Sequence, residues 1–244
     1  MIKVEDIYKK YPDNNFYSSH GVSFNIEENT TCGLLGNNGA GKSTIMKMLS
    51  TVYKPDKGRI LINNMDTRIQ TREIKRILGI VFETPRLFED LTGKENIEYI
   101  GSLFGIDKET IRKRCEKMYE DLEVDFEDKF VNTYSKGMKQ KISIIRALVT
   151  DPKIVLMDEP TSGLDIVSRN LIRKYIGNLK NKTVIITSHV AEDIEALCDK
   201  VIILKRGKVC EDTDIESLKL KYKADSFEEA YVNIQKIKEG KEYV

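Results

Sequence analysis

The chain has 244 residues, enough for one large domain with an ample core, and 40 Lys and Arg against 39 Asp and Glu leave a formal charge of +1. So even a balance carries no electrostatic footprint for nucleic acid or an anionic bilayer, and no nucleic-acid partner is expected. Cys32, Cys115, Cys198 and Cys210 form no C-x-x-C pair, which argues for reduced thiols rather than a zinc site or a disulfide framework.

From the N-terminus, residues 2–35 read as antiparallel strand material, with Val22, Phe24 and Ile26 alternating against Ser23 and Asn25. Cys32-Gly33-Leu34-Leu35 is a short buried strand, 43–49 is a helix, 57–64 is a turn into a strand, and 79–82 is another strand. Between 93 and 149 the pattern turns helical, with Ile111, Cys115, Met118 and Leu122 recurring at helical spacing. Strands return at 154–157, 184–186 and 201–204, and the first two pairs are separated by helical segments, the βαβ signature of a parallel sheet. Residues 205–244 are charged and mostly helical, and Phe227, Ala230, Tyr231 and Ile234 form an apolar face suited to docking on the core. No stretch of about 18 apolar residues occurs, so any membrane role needs spanning helices from another polypeptide.

The fold class that follows is α/β, with a mixed or parallel sheet, an N-terminal antiparallel β subdomain and a helical insertion. Residues 1–244 form one domain: 1–92 and 150–210 make the core, 93–149 the helical subdomain and 211–244 a C-terminal helical tail.

The run Gly36-Asn37-Asn38-Gly39-Ala40-Gly41-Lys42-Ser43-Thr44 matches G-x-x-x-x-G-K-[ST] at a strand-to-helix turn, which makes the fold a P-loop NTPase. Glycines let successive N–H groups curl round phosphates, and the helix start adds partial positive charge. Lys42 supplies a point charge for the β and γ phosphates and Ser43 a hydroxyl for Mg2+. The strand ending Asp158-Glu159 brings two carboxylates to the edge where parallel sheets bind ligands. Asp158 is placed to orient Mg2+, and Glu159 to polarise an attacking water. His189 follows the next strand and reaches toward the same edge.

Asp158-Glu159-Pro160-Thr161-Ser162-Gly163-Leu164-Asp165 and Tyr134-Ser135-Lys136-Gly137-Met138-Lys139-Gln140-Lys141, after such a phosphate loop, resemble the ATP-binding subunit of an ABC transporter over nearly the whole chain. The resemblance implies an ATPase using ATP and Mg2+ and closing as a head-to-tail pair of copies. It also implies attachment, from the cytoplasm, to separate membrane permease subunits. Ser135 and Gly137 resemble the signature that contacts ATP held by the second copy, Asp165 the loop joining the copies, His189 the switch histidine, and Tyr11 the aromatic that stacks on adenine. With 83–133 as the stretch facing the membrane subunit, the implied activity is ATP-driven export.

Two positions depart from the family pattern. The signature usually reads Leu-Ser-Gly-Gly-Gln; Tyr134, Lys136 and Met138 replace three of the five, a variant resembling ABC-2 type exporters. Glu83 stands where glutamine is usual and could still offer Mg2+ an oxygen. A glutamate there resembles the subunits that protect lantibiotic producers, and a tolerated exchange in some other exporter is the alternative. Two other function classes fit part of the pattern: a non-transport ABC ATPase, which usually carries two nucleotide domains or a coiled coil, and an ATP-binding sensor, against which Glu159 speaks.

Overall fold

Two sheets of different character organise the computed structural model, which describes residues 2–12 and 16–237. The smaller sheet is antiparallel and comprises β1 (Ile2–Lys10), β2 (Tyr17–Ile26), β4 (Lys57–Ile62) and β5 (Met65–Asp66), in the order β2-β1-β4-β5. The larger comprises β3 (Thr31–Leu35), β6 (Leu78–Val81), β7 (Ile154–Asp158), β8 (Thr183–Thr187), β9 (Lys200–Lys205) and β10 (Lys208–Asp214). Its order is β10-β9-β3-β8-β7-β6, parallel from β9 to β6 with β10 antiparallel at one edge.

Side chains alternate across a strand, so each parallel strand feeds two cores. Ile154, Leu156, Ile185 and Ile202 face Ile45, Met48 and Leu49 of α1 (Lys42–Leu49), together with Val22, Phe24 and Ile26 of β2. Val155, Met157, Val184, Ile186 and Val201 face the opposite layer. That layer holds Ile142 and Ile145 of α5 (Lys136–Leu148), Ile172 and Ile176 of α6 (Ile166–Gly177), and Ile194 of α7 (Ala191–Leu197). Strands buried on both faces read as near-continuous apolar runs, which is why they stand out in the sequence.

Between β6 and β7 the chain builds α3 (Gly93–Leu103), α4 (Lys108–Asp121) and α5. A capping box starts α3: the Thr92 hydroxyl accepts from Glu95 N, and Glu95 reaches back to Thr92 N. Asp107 caps α4 more simply, its carboxylate accepting from Thr110 N at 2.9 Å. Helix does not run through the whole of 93–149; 122–135 is irregular except for a 3-10 turn at Val131–Thr133. Here the Tyr134 hydroxyl donates to Phe126 O at 2.8 Å and accepts from Gly93 N at 3.2 Å. Tyr134 is therefore a buried strut between α3 and the connection into α5. A shorter helix, α2 (Thr71–Ile77), precedes β6 and buries Ile74.

The reading of 205–244 as helix is corrected at its start. Arg206 and Gly207, both at positive φ (50° and 76°), make a two-residue turn, and Lys208–Asp214 returns beside β9 as a strand. The C-terminal helices begin only at α8 (Ile215–Lys221), followed by α9 (Phe227–Ile237). Phe227, Ala230 and Ile234 of α9 are buried, as their spacing predicts. The end of the expected tail, 238–244, lies outside the described residues. No described helix is long and apolar enough to cross a membrane. No cysteine is in a disulfide, and burial pushes the Cys32 thiol up to about 12 and Cys115 to about 11.

Candidate active site

Strand β3 runs directly into the phosphate loop, and close contact explains two of its glycines, while Gly39 (φ 80°) has open space round it and answers to its backbone angle alone. A Cβ on Gly36 (φ 154°) would lie 2.5 Å from Leu204 O and 2.7 Å from Ala40 Cβ; one on Gly41 (φ 107°) would lie 2.5 Å from Ser18 O. The loop thus threads between β9 and the start of β2 where no side chain fits. Ala40 N donates to Asn37 O at 3.0 Å, and Gly207 N to Ala40 O at 3.1 Å. Lys42 Nζ donates to Gly36 O at 2.6 Å and to Asn37 O at 3.5 Å. No described carboxylate pairs with the Lys42 ammonium, and the first turn of α1 holds no acidic residue, so the positive potential there stays available to an anion. Asn37, Asn38, Gly39 and Ser43 are exposed, whereas Thr44 is buried with its Oγ1 3.2 Å from Tyr11 Oη. Tyr11 therefore stands at the lip of the loop, edge-on to Tyr53 at 5.7 Å between centroids.

The carboxyl edge of the parallel sheet brings the other polar residues together. Register pairs Asp158 with Thr187, and Thr187 Oγ1 donates to Asp158 Oδ1 at 2.6 Å while accepting from Glu159 N at 3.0 Å. Glu159 turns sharply out of the strand (φ 49°), which carries its carboxylate to His189. Its Oε2 lies 2.7 Å from His189 Nδ1 and accepts from His189 N at 3.3 Å. The Glu159 side chain is only 13% exposed, whereas His189 is 61% exposed, so the pair has a partly buried acidic end and an open imidazole end. Glu83 is exposed at the end of β6 and, with Asp158, Lys47 and Ser50, lines a cavity of about 310 Å³.

Ser135 and Gly137 lie elsewhere. The exposed Ser135 caps α5, its hydroxyl accepting from Met138 N at 3.2 Å. Gly137 packs so closely on α6 that a Cβ would sit 2.9 Å from Ser168 Oγ; Asp165 caps α6 by accepting from Ser168 N at 2.9 Å. The structure thus brings Ser135, Gly137 and Asp165 to one neighbourhood, and no hydrogen bond among the described residues joins them to 36–44.

The family described as ABC transporter matches residues 19–162, more than half of the chain. This chain belongs to the ABC transporter family. It is 38% identical over 248 residues to the ABC transporter ATP-binding protein NatA of Bacillus subtilis (strain 168), covering 98% of this chain and 99% of that protein. The linearmycin resistance ATP-binding protein LnrL of the same organism is 36% identical over 213 residues, covering 86% and 68%. An ATP-binding cassette solved as a dimer in a post-hydrolysis state, bound to ADP and Pi, superposes with a TM-score of 0.80 at 28% identity, over 88% of this chain and 98% of that one. The chain is accordingly an ATP-binding, ATP-hydrolysing subunit of this family.

Two features of this ABC subunit escape sequence reasoning. The Thr187 hydroxyl, which serves Asp158 and Glu159 at once, is apparent only when the β7–β8 register is known. Asp193 is buried and accepts from both Thr161 Oγ1 and Arg173, tying the loop after Glu159 to α7 and hence to the segment carrying His189. Only the burial of a lone aspartate marks this cluster, and a sequence does not display burial.

Proposed function

We propose that the chain powers export through separate membrane subunits, working at the cytoplasmic face as a head-to-tail pair that closes on ATP. The observation that carries the ATP-driven part of this reading is the Glu159–His189 pair at 2.7 Å, with His189 lining one cavity together with Gly36, Asn37 and Asn38 of the phosphate loop. In it, Lys42 and the loop N–H groups hold the phosphates, and Tyr11 offers a ring to the adenine. Glu159 polarises the attacking water, and His189 holds the Glu159 carboxylate in place while its Nε2 stays available.

The donor set suits Mg2+, which takes hard oxygen ligands and binds through one or two carboxylates plus substrate phosphates. Ser43 is exposed at the first turn of α1, Asp158 keeps Oδ2 clear of the Thr187 bond, and Glu83 lines one cavity with Asp158. When bound, the ion would supply charge neutralisation on the phosphates, with Ser43, Asp158 and Glu83 as its holders.

The assignment of Ser135 and Gly137 to the ATP of a second copy is supported by their separation from 36–44 within one chain. Contact with a membrane subunit is supported by Phe88, Tyr99, Leu103, Phe104 and Phe130, large apolar side chains standing exposed within 83–133. The name of LnrL supports an antimicrobial compound as cargo, and Glu83 fits the self-protection subunits in particular. The test is capture of the chain from detergent-solubilised membranes and measurement of ATP-dependent efflux. Polytopic partners and efflux lost in Lys42→Ala are expected; ribosomes or nucleic acid captured instead would overturn the transport role.

A further inference from the structure

The C-terminal helix reaches the phosphate loop. Helix α9 is anchored by Phe227, Ala230 and Ile234, and Tyr231 stacks on Phe227 with centroids 6.4 Å apart. Tyr231 and Gln235, one turn apart, share a face. From it, Tyr231 Oη donates to Asn37 Oδ1 at 3.3 Å, and Asn37 Nδ2 donates to Gln235 Oε1 at 3.4 Å. Both polar atoms of the Asn37 side chain are thus engaged by one helix. The helix is fixed in turn to β9, because Lys205 Nζ donates to Gln235 O at 3.2 Å, and the neighbouring Leu204 carbonyl abuts Gly36. A cavity of about 380 Å³ lies between helix and loop, lined by Gly36, Asn37, Asn38, His189 and Tyr231.

We propose that Tyr231 and Gln235 are positioning residues for the phosphate loop, acting through Asn37 to hold it ready for ATP. The inference rests on the reading of 36–44 as the phosphate site. A loop with glycines at 36, 39 and 41 and an exposed tip has many conformations to lose on binding. Holding Asn37 in advance removes part of that cost, which is how preorganisation raises affinity. The helix is thereby a handle on nucleotide affinity located almost 200 residues beyond the loop it controls.

The test uses the full chain and a fluorescent ATP analogue. Tyr231→Phe keeps the ring and removes only the hydroxyl; it should weaken Kd and raise KM by about 3- to 10-fold, the net worth of one hydrogen bond, with a smaller change in kcat. Gln235→Leu should behave alike. In an Asn37→Ala background neither substitution should have a further effect, and amides 37–41 should exchange hydrogen faster in Tyr231→Phe than in the parent. Unchanged affinity and exchange in Tyr231→Phe would overturn the proposal, as would an effect that persists undiminished beside Asn37→Ala. Lys42→Ala separates the two readings: if it binds nucleotide as tightly as the parent, the phosphate site itself is misplaced, whereas if it alone loses binding only the positioning role fails.

Discussion

The carboxyl edge of the parallel sheet and the start of α5 solve opposite problems. At the sheet edge, polar side chains find partners on other elements: Thr187 holds Asp158, His189 holds Glu159, and Lys42 reaches back to Gly36. At α5, the Ser135 hydroxyl only caps its own helix, and Gly137 is small because Ser168 and Asp165 lie against it. A group oriented from outside its own element is held ready for a ligand that comes to it. A helix start that satisfies itself and faces outward is complete only when another surface meets it. Under the proposed function, one chain therefore carries a hydrolytic edge and half of a second site.

Removing the carboxylate proposed as the base has the largest expected effect. Glu159→Gln keeps the size and part of the hydrogen bonding to His189 but cannot polarise water as a carboxylate does. Turnover should fall by roughly 10²–10⁴ while ATP binding stays near the parental value, in a single-turnover assay paired with nucleotide titration. Turnover within twofold of the parent would place the base elsewhere and dissolve the contrast from the sheet side.

Mixing two inactive proteins probes the other side. Lys42→Ala disables the edge and Ser135→Arg the helix start. If the two regions belong to sites shared between copies, a mixed pair contains one intact composite. Random pairing should then restore about a quarter of the parental sites, because half of the pairs are mixed and each holds one good site of two. Mixtures as inactive as their components would mean that both regions serve the same copy.

Much of the sheet edge was legible because its information is local. The phosphate loop is a contiguous motif, the strands that lead to the edge are continuous apolar runs, and Asp158, Glu159 and His189 sit at or just beyond strand ends. What stayed hidden depends on register or on distant packing. Thr187 looks like any strand residue until β7 and β8 are paired, and Asp193 like any helix-surface carboxylate until Arg173 closes over it. Strand β10 escaped because Lys208, Glu211, Asp212 and Asp214 blur the alternation of a half-exposed edge strand. The link between Asn37 and α9 joins segments whose sequences carry no mutual mark.

A smaller effect separates folding from chemistry at the α5 side. Tyr134, in a position where the family usually has leucine, is buried with its hydroxyl bonded to Phe126 O and Gly93 N. Tyr134→Phe removes both bonds, but Lys129 O still accepts from Gly93 N at 3.4 Å and Lys129 N still donates to Phe126 O at 2.9 Å, so the loss should be about 0.5–1.5 kcal/mol, read as a lowered denaturant midpoint. Nucleotide affinity should be unaltered, since the strut joins α3 to α5 and not to the phosphate loop. A midpoint equal to the parent's would mean that the tyrosine hydroxyl is not the strut that sets α5.

Glu83 gives the smallest expected effect and the finest test, because it sits between the two regions. It leaves the end of β6 into the stretch that leads to the helical insertion, yet lines the same cavity as Asp158. Two carboxylates facing an incoming polyphosphate repel it, but Glu83 is exposed, and Lys47 and Arg86 on the same cavity offset part of its charge. At surface dielectric and ordinary salt the net penalty is about 1 kcal/mol or less, so Glu83→Gln should hold the ATPase rate of the isolated subunit or raise it, by at most about fivefold. Because that gain is electrostatic, it should shrink as ionic strength rises. The same substitution should lower export or resistance in cells, where the charge at the exposed end of β6 is available to a membrane subunit. Measuring both on one variant decides the matter: full export with glutamine installed would make Glu83 a tolerated exchange and remove the one residue that points specifically to self-protection.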